Sequence, residues 1–586
     1  MLIVGLNTVY HESSVALIRD GELIAAIEEE RLNRVKHAKL ATVEGPILLP
    51  YAALDAALSL AGATIDDVDR IALTFEPEVR FQDNVAHAHP YATPTGEYGS
   101  SEGERRLLAM CRLIPDVLSA RYGRDLTARC EVVPHHACHA ASAYFPSPFA
   151  EAAVLSIDGI GEFESTTRWH GRDGVLRQTG EVRYPHSLGF LWERITAYLG
   201  FAPGHDECKV MGLAAHGDPA RFASAFARFA ELDRDGGFTL SDDVLRFRNP
   251  SFAPLEALLG PRRLPHEPLD PDGEEARFAD VAATLQAFTE AAVLAQARRV
   301  REETGARHLC MAGGVALNCV ANARIVEAGI FEDVWVQPAA NDAGTAVGAA
   351  SLVWAEASGG APLHAPDPVR LGPSFDDDQV VEALHDLRLP VRRVGPRDVA
   401  RRIADGEVVG WFQGRMEFGP RALGSRSILA DPRTLTSRRR VNAKIKRREL
   451  FRPLCPSVLA DRVPDWFVVD RVPAASAYML MAFPVREEVA DRVPAVKHVD
   501  GTARLQALTR DADPRFHALI TAFEEITGIP MVLNTSFNSQ EPIVCTPQDA
   551  LRTFLRTDLD ALVLGDHLVT RADVAGEADG DVELAS

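Results

Sequence analysis

The first candidate for chemistry is a pair of histidines, His135 and His139, in the segment VVPHHACHAASAYF. Residues four apart lie on one face of a helix, so two imidazoles with this spacing can converge on one metal ion. His136 would point elsewhere on the same helix. The spacing alone is equally typical of two core or surface histidines, so a metal site needs further ligands from elsewhere in the chain.

Two aspartates could supply those ligands. Asp158 follows the apolar run VLSI and precedes a glycine, which lets a phosphate or a metal ion approach closely. Asp342 lies in PAANDAGTAVGAA, between a predicted strand and a helix rich in glycine and alanine. Each aspartate also has a structural interpretation, a turn for the first and a helix N-cap for the second.

Nucleotide binding and proton transfer have weaker signals. CMAGGVALNCVANARI contains Gly314 and Asn318 where an apolar strand leads into a helix. This arrangement is typical of anion binding, but it matches neither a Walker sequence nor GxGxxG. His11, in NTVYHESS, follows the first predicted strand and could act as a general base. A hydrogen-bonded structural histidine fits that position equally well.

A last group of residues suits phosphate oxygens. GRMEFGPRALGSRSIL contains Arg421, KIKRRELFRPLC contains Lys446 and Arg452, and VLNTSFN places Ser536 after an apolar strand. Arginine forks, a lysine ammonium group and hydroxyl donors all bind phosphate. We therefore expect a phosphate-binding site in the C-terminal part of the chain.

The chain as a whole has the opposite charge. Its 586 residues include 62 basic and 83 acidic ones, a formal net charge of −21. Its 46% of hydrophobic residues exclude a disordered chain, and the acidic balance argues against a general nucleic-acid binder. Residues 410–455 nevertheless hold twelve basic and three acidic residues, a local charge of +9. This stretch suits a compact polyanion, although residues 438–448 could equally be a solvated helix face.

The elements that must position these residues alternate between strand and helix, which predicts an α/β fold. Apolar runs at 1–7, 13–18 and 152–159 are the clearest predicted strands. A segment rich in proline, glycine and serine at 357–375 predicts a boundary between an N-terminal region, 1–356, and a C-terminal region, 370–586.

Two further segments look irregular. Residues 80–105, with Tyr91 and Tyr98, are polar and are expected to form an inserted loop. The last dozen residues are acidic and are expected to fray.

Neither a leader segment nor a membrane span is expected. The N-terminal apolar run lacks a basic region and a cleavage site, and no stretch reaches about 18 uninterrupted apolar residues. Eight scattered cysteines without a CxxC pair are typical of free thiols in a reducing compartment. The sequence predicts a cytoplasmic protein that works without a membrane or a nucleic acid.

Taken together, the motifs resemble those of the NodU/CmcH-type O-carbamoyltransferases. The matching segments follow the family's order over almost the whole chain: YHESSVAL, EEERLNRVKH, HHACHAAS, SIDGIGE, KVMGLAAHG, AGGVALN, NDAGTAVGAA, GRMEFGPRALGSRSIL, FRPLCPSV and LNTSFN. The resemblance implies an N-terminal domain like the tRNA threonylcarbamoyl-transfer enzyme, with the two-lobed fold of actin, Hsp70 and sugar kinases. It implies a YrdC-like α/β domain at the C-terminus.

The resemblance also implies a reaction. The C-terminal domain would make carbamoyladenylate from carbamoyl phosphate and Mg-ATP. The N-terminal domain would then transfer the carbamoyl group to a hydroxyl of a small-molecule natural product, with release of AMP. Acceptors differ widely within the family, so the resemblance names no particular one.

Roles for single residues follow from the same resemblance. A divalent metal, Fe(II) in preference to Zn or Mn, would be held by His135, His139, Asp158 and Asp342. The base for the acceptor hydroxyl would be His11. Contacts to the nucleotide would come from Lys209, Gly314 and Asn318. ATP and carbamoyl phosphate would be held by Arg421, Lys446, Arg452 and Ser536.

Two other functions are alternatives to this one. A tRNA threonylcarbamoyladenosine-type modification enzyme is disfavoured by the acidic balance and by the domain that carries GPRALG. A non-catalytic ATP-binding module of the actin or Hsp70 type would not require the pair His135 and His139 or the basic C-terminal segment.

Overall fold

The computed structural model describes residues 1–86, 93–233, 236–273 and 275–575, and these form two compact units. The first comprises residues 1–368 with 473–475, and the second comprises 369–472 with 476–586. Tyr91 and the final eleven residues lie outside the described residues. Helix α13, defined below, ends at Ser358, close to the proline- and glycine-rich segment that was expected to divide the chain.

The first unit contains twelve strands among its described residues. They are β1 Leu2–Asn7, β2 Ser14–Arg19, β3 Glu22–Glu28, β4 Arg70–Leu73, β5 Cys130–Val132, β6 Glu151–Ile157, β7 Glu164–Arg172, β8 Val175–Arg183, β9 Ala230–Leu232, β10 Phe238–Leu240, β11 His308–Ala312 and β12 Asp333–Val336. The helices are α1 Glu30–Asn33, α2 Tyr51–Leu60, α3 Pro77–Ala86, α4 Ser101–Tyr122, α5 His135–Tyr144, α6 Leu188–Tyr198, α7 Glu207–Ala214, α8 Ala223–Phe226, α9 Asp242–Leu245, α10 Ala253–Leu259, α11 Ala276–Thr304, α12 Cys319–Glu327 and α13 Thr345–Ser358.

Two sheets of this unit share one topology. The first runs β3-β2-β1-β4-β5, antiparallel from β1 to β3 and parallel through β1, β4 and β5. The second runs β8-β7-β6-β11-β12, with β6 in the place of β1 and the same directions. This duplication is the two-lobed arrangement expected from the actin, Hsp70 and sugar-kinase resemblance, so the predicted fold class is confirmed.

The two lobes exchange their last helices. Helix α5 follows the first sheet but packs on β6 and β11 of the second, while α13 follows the second sheet and packs on β1, β2 and β4 of the first. Helices α5 and α13 also pack on each other. Two glycines make close contacts of α13 possible. A Cβ on Gly5 of β1 would lie 1.8 Å from the Ala346 carbonyl oxygen of α13, and a Cβ on Gly348 of α13 would lie 1.7 Å from the Cys138 carbonyl oxygen of α5.

Helix α11 is long and apolar enough, by length and composition, to cross a membrane. Two thirds of its most apolar window (67%) is buried, and it packs on α7, α12 and β6. This is the environment of a core helix, because its apolar face is already covered by protein.

The expected inserted loop at 80–105 is wrong at both of its ends. Helix α3 extends to Ala86 and α4 begins at Ser101, capped by the Ser100 hydroxyl, which accepts from the Gly103 N–H. Tyr98 is buried, and its hydroxyl donates to the Thr42 carbonyl at 2.7 Å. The polar composition of this segment concealed a tyrosine that packs into the unit.

The second unit is built on one mixed sheet of seven strands in the order β18-β15-β19-β14-β13-β20-β21. Its strands are β13 Val409–Phe412, β14 Arg426–Ala430, β15 Cys455–Leu459, β16 Ala482–Pro484, β17 Thr502–Arg504, β18 Gln506–Leu508, β19 Met531–Ser536, β20 Ala561–Leu564 and β21 His567–Thr570. Its helices are α14 Asp377–Asp386, α15 Pro396–Ala404, α16 Leu435–Arg440, α17 Val463–Trp466, α18 Glu487–Ala490, α19 Pro514–Thr527, α20 Pro547–Arg556 and α21 Arg571–Ala575. This unit is therefore a second α/β domain.

Candidate active site

Helix α5 presents two histidines to the interior of the first unit. It begins at His135, directly after Pro134, whose fixed φ suits the start of a helix. His139 lies one turn later on the same face, and the two rings are perpendicular with centroids 4.7 Å apart. Both side chains are fully buried. The helical spacing expected from the sequence therefore brings the two imidazoles together.

Two carboxylates of the second lobe complete a four-residue cluster. Asp158 follows β6, and Asp342 begins a 3-10 turn, Asp342–Gly344, after β12. Each histidine Nε2 lies 3.6–3.7 Å from an oxygen of each aspartate. The four candidate ligand atoms all lie within 4.8 Å of one another.

Backbone groups orient three of the four side chains. The Gly314 N–H donates to Asp158 Oδ1 at 2.8 Å, and the His11 N–H donates to Asp342 Oδ2 at 3.3 Å. His135 Nδ1 lies 3.2 Å from the Thr74 carbonyl oxygen. Each contact leaves the other atom of the side chain directed into the cluster, as outer hydrogen bonds do for metal ligands.

The cluster is electrostatically unusual. Burial would lower the pKa of His135, but Asp158 and Asp342 outweigh it and hold that pKa well above its usual range. Burial would raise the pKa of Asp158, yet the two histidines hold it well below its usual range. Opposite charges at this distance stabilise one another and keep both carboxylates ionised.

A divalent cation fits this arrangement. The Nε2 atoms of His135 and His139 are buried and have no hydrogen-bond partner among the described residues, and 3.6 Å to a carboxylate is too long for a hydrogen bond. Ligands sharing one metal at about 2.0–2.2 Å lie about 3.0–3.6 Å from each other, which is close to the observed spacing. Imidazole and carboxylate donors suit iron, zinc or manganese.

His11 lies beside this cluster on a tight turn. Asn7 holds the turn by donating from Nδ2 to the carbonyl oxygens of His11 (3.0 Å) and Glu12 (3.1 Å). Tyr10 and Glu12 have φ values of 60° and 46°, which non-glycine residues rarely adopt. Such strain persists only where the surroundings enforce it, and it is common at functional sites.

Glu12 and His37 lie next to His11, and neither is singled out by the sequence, although both lie in the motifs YHESSVAL and EEERLNRVKH. Glu12 contacts His37, with 2.9 Å between Oε1 and Nδ1, and burial raises the pKa of Glu12 to about 8. The His37 ring lies 4.2 Å from that of His205 and 6.1 Å from that of His11. Only the fold brings residues 11, 37 and 205 together.

The three expected nucleotide contacts are placed differently. Gly314 opens a 3-10 turn next to Asp158, at the edge of the cluster. Asn318 is buried, caps α12 by accepting from the Ala321 N–H, and exchanges hydrogen bonds with Gln286. Lys209 pairs with Asp206 at 3.1 Å. Gly314 thus lies at the cluster, while Asn318 and Lys209 contact neighbouring protein groups, and a role of all three in nucleotide binding stays a prediction.

In the second unit, Lys446 and Ser536 meet. The Lys446 ammonium group is buried and donates to the Ser536 hydroxyl at 3.0 Å and to Asn538 Oδ1 at 2.5 Å. The Ser536 hydroxyl also donates to Asn538 Oδ1 at 2.8 Å. The lysine lies directly after a π-helical turn, Val441–Ile445, a local distortion that is frequent at functional sites.

Arg421 lies on a loop that Glu417 organises. Glu417 Oε1 accepts from the N–H groups of Leu423 (2.8 Å) and Ser425 (2.7 Å). The loop is also tied to β19, because Asn534 Nδ2 donates to the Ala422 carbonyl at 3.1 Å. Arg421 is thus the sequence neighbour of Ala422, which is hydrogen-bonded to Asn534. Asn534 lies two positions before Ser536 on β19.

The basic stretch is not one open pocket. Arg426 is fully buried and donates to backbone carbonyls, including that of Gln413 at 2.8 Å. Arg433 pairs with Asp431, Arg440 with Asp560, and Arg452 lies 3.9 Å from Glu449. The exposed remainder is Arg439, Lys444 and Arg447. Four of the twelve basic side chains therefore already contact other groups of the protein, although, among the described residues, only Asp560 is an acidic partner from outside the stretch.

Comparison with known proteins agrees with this division. The family model "Carbamoyltransferase N-terminus" matches residues 2–351, and "Carbamoyltransferase C-terminus" matches residues 400–571. The chain belongs to the carbamoyltransferase family. It is an enzyme of that family, and the resemblance to the NodU/CmcH type is confirmed.

Relatives match most of this carbamoyltransferase. It is 38% identical to the Synechocystis protein sll1178, covering 97% of this chain and 96% of that one. It is 37% identical to the nodulation protein NolNO of Sinorhizobium fredii, covering 97% of this chain and 80% of that one. Component A of (R)-2-hydroxyglutaryl-CoA dehydratase from Acidaminococcus fermentans matches 61% of this chain and 99% of its own, with 14% identity and a TM-score of 0.32.

Proposed function

We propose that this carbamoyltransferase is an ATP-dependent O-carbamoyltransferase with two steps. The second unit forms carbamoyladenylate from carbamoyl phosphate and Mg-ATP, with loss of phosphate and pyrophosphate. The first unit transfers the carbamoyl group to a hydroxyl of a small-molecule natural product, with loss of AMP. Overall, carbamoyl phosphate, ATP, water and the alcohol give the carbamate ester, AMP, pyrophosphate and phosphate.

The observation that carries the proposal is the buried cluster of His135, His139, Asp158 and Asp342, with two imidazole nitrogens that have no hydrogen-bond partner in the described part of the chain. These four side chains would hold a divalent metal, with Fe(II) preferred to zinc or manganese. Such an ion supplies Lewis acidity that polarises a carbonyl group and stabilises developing negative charge.

His11 would take the proton of the acceptor hydroxyl. Its backbone N–H donates to Asp342 Oδ2 at 3.3 Å, which places the residue beside the cluster. The His11 side chain is half-buried, and an imidazole is the side chain that most often serves as a general base. The ring of His37, which pairs with Glu12, lies 6.1 Å from the ring of His11.

In the second unit, the Lys446 ammonium group and the Ser536 hydroxyl lie next to each other, with the ammonium group donating to the Ser536 carbonyl and hydroxyl and to Asn538. Together with Arg421 and Arg452 they would hold the phosphates of ATP and carbamoyl phosphate. Positive charge at that point offsets the repulsion between two polyanions as they approach. A tRNA-modifying activity is the weaker alternative, because a chain of net charge −21 repels a phosphate backbone.

A half-reaction assay tests the proposal. The purified, metal-loaded protein should release pyrophosphate only when ATP and carbamoyl phosphate are both present. A panel of candidate alcohols, followed by mass spectrometry for an added carbamoyl group, should identify the acceptor. Absence of both pyrophosphate and AMP under these conditions would rule the proposal out.

A single substitution separates the two steps. His139→Ala should keep pyrophosphate release and lose carbamoyl transfer by at least about a hundredfold, because it removes one of the four groups around the metal. His170→Ala is the matched control, since His170 lies on β7 opposite Ala153, away from the cluster, and pairs with Glu151. Equal loss of both steps in His139→Ala would show that the cluster does not serve transfer alone.

A further inference from the structure

The Arg248 side chain has no ion-pair or hydrogen-bond partner among the described residues. Its guanidinium lies over two aromatic rings, 4.8 Å from the centroid of Phe190 and 5.5 Å from that of Tyr98. Within the described part of the chain, no carboxylate lies within ion-pair distance of it and no acceptor takes a hydrogen bond from it. The residue is half-buried, so its five N–H donors are only partly available to water.

The rings beneath Arg248 lead to the histidine–aspartate cluster from two sides. On one side, the Phe190 ring lies 3.4 Å from where a Cβ on Gly159 would be, next to Asp158. On the other side, the Tyr98 ring lies 5.5 Å from that of Tyr10, which in turn lies 5.8 Å from that of His135. The rings of Phe190, Tyr98 and Tyr10, called the aromatic wall below, thus extend from Arg248 to the edge of the cluster.

Other polar groups of this wall are already used. The hydroxyl of Tyr10 donates to the Gly161 carbonyl at 2.9 Å, and that of Tyr98 donates to the Thr42 carbonyl at 2.7 Å. Arg80, a buried arginine nearby, is saturated by Glu104 at 2.9 Å and by the Glu162 carbonyl at 2.7 Å. Arg248 differs from it in having no such partner.

The backbone of Arg248 has a strained conformation. Its φ is 63°, in the left-handed region that arginine rarely adopts. A strained residue whose charged group has no partner among the residues that the structure describes is better explained by a ligand than by stability, because strain persists where function requires it.

Building on the proposed function, we propose that Arg248 is the oxyanion anchor of the N-terminal site. Its guanidinium would pair with a phosphate, carboxylate or sulfate of the substrate that reacts at the cluster. Arginine binds such groups through two parallel N–H donors, which fixes orientation as well as charge. The anion is either the phosphate of the adenylate or an acidic group of the acceptor.

The field around Arg248 suits this role. Glu193 lies one turn after Phe190 on α6, and its charge is repelled by Glu207, attracted by Arg248, and repelled by Asp158 and Asp342. Burial raises the pKa of Glu193 to about 8. A carboxyl group that is neutral at pH 7 can donate a hydrogen bond to the same anion rather than repel it.

A binding experiment addresses the adenylate phosphate. AMP is titrated calorimetrically into the full-length protein with Arg248 intact, Arg248→Gln or Arg248→Lys. All three carry Lys446→Met, which weakens nucleotide binding in the other unit equally. If the phosphate is the partner, Arg248→Gln should raise the Kd for AMP by about ten- to a hundredfold, the value of a lost charged hydrogen bond, and Arg248→Lys should recover part of it.

A product screen addresses the acceptor. The otherwise unsubstituted protein is offered matched pairs of neutral and acidic alcohols, such as glucose and glucuronate, and carbamoylated products are quantified by mass spectrometry. If the anion belongs to the acceptor, the acidic member should be preferred and Arg248→Gln should abolish that preference while AMP binding stays unchanged. Arg262→Gln is the matched control, because Arg262 also lies 4.8 Å from a ring, that of Phe252.

Either positive result supports the proposed role of Arg248 and identifies whether the adenylate or the acceptor carries the anion. The inference is overturned if Arg248→Gln changes both the Kd for AMP and the acceptor preference by less than twofold. If no alcohol in the panel reacts, the AMP titration decides alone, and an unchanged Kd overturns it. Failure of the proposed function would show instead as no pyrophosphate from the wild-type protein, an outcome that leaves the titration interpretable.

Discussion

At the scale of the residue, Asn7 links the general-base candidate to the cluster. Its side chain is fully buried, holds the carbonyls of His11 and Glu12, and accepts from the Thr74 hydroxyl at 2.8 Å. The Thr74 carbonyl in turn contacts His135. One amide therefore fixes both the turn that carries His11 and one of the imidazoles.

We expect Asn7→Ala to lower carbamoyl transfer by at least about tenfold and to leave pyrophosphate release within about twofold of wild type. Removing the amide leaves buried carbonyls without a donor, at a cost of about 1–3 kcal/mol, and frees a strained turn. Parallel assays of the two steps check this. Asn33→Ala, which removes an exposed amide that donates to the Ala38 carbonyl, should leave both steps unchanged. Loss of both steps in Asn7→Ala would indicate unfolding instead.

The sequence anticipated the parts of the site that depend on local order. The spacing of His135 and His139 is helical, and Asp158 follows an apolar strand, so periodicity and strand ends suffice. Arg248 and Glu417 gave no such signal. Their roles depend on which distant segments the fold brings beside them, and that register is set by packing between elements far apart in the sequence.

Some residues in specific motifs turned out to serve the fold. Arg426 looks like a phosphate ligand in GPRALGSR, yet its guanidinium is buried over the Phe412 ring, at 3.6 Å, and donates to carbonyls. Asn318 similarly caps a helix. Residue type indicates which bonds a side chain can make, but only the surroundings decide whether its donors face a ligand or the backbone.

At the scale of the element, the contact between α5 and α13 leaves no room for a side chain at Gly348. Gly348→Ala should lower the free energy of unfolding of the first unit by at least about 2 kcal/mol, since overpacking a close backbone contact forces the helices apart. It should also weaken metal retention, because α5 carries both histidines. Thermal unfolding and metal analysis of the purified variant check the two effects.

The control for this prediction lies on the same helix. Ala357→Gly changes an exposed position near the end of α13 and should cost only about 1 kcal/mol, the difference in helix propensity. A Gly348→Ala protein as stable as wild type and fully metal-loaded would show that the helices can separate without affecting the ligands.

At the scale of the whole molecule, the two candidate sites lie in different compact units, so each activity should be lost separately. Treatment with a strong chelator, followed by its removal, should abolish carbamoyl transfer and leave pyrophosphate release intact. Adding back Fe(II), zinc or manganese singly should show which ion restores transfer. The reloaded protein should also melt at a higher temperature, because an ion that binds only the folded state stabilises it. Chelation that abolishes both steps would contradict the separation.

The exchange of α5 and α13 has a consequence for synthesis on the ribosome. The first sheet is complete at Val132, but α13, the helix that covers it, begins at Thr345, roughly 200 residues later. Because synthesis proceeds at about 5–20 residues per second, the apolar face of that sheet stays uncovered for about 10–40 s. A nascent chain in this state is a natural client for holding chaperones, and synonymous changes that slow translation between the two segments should lower the yield of soluble enzyme.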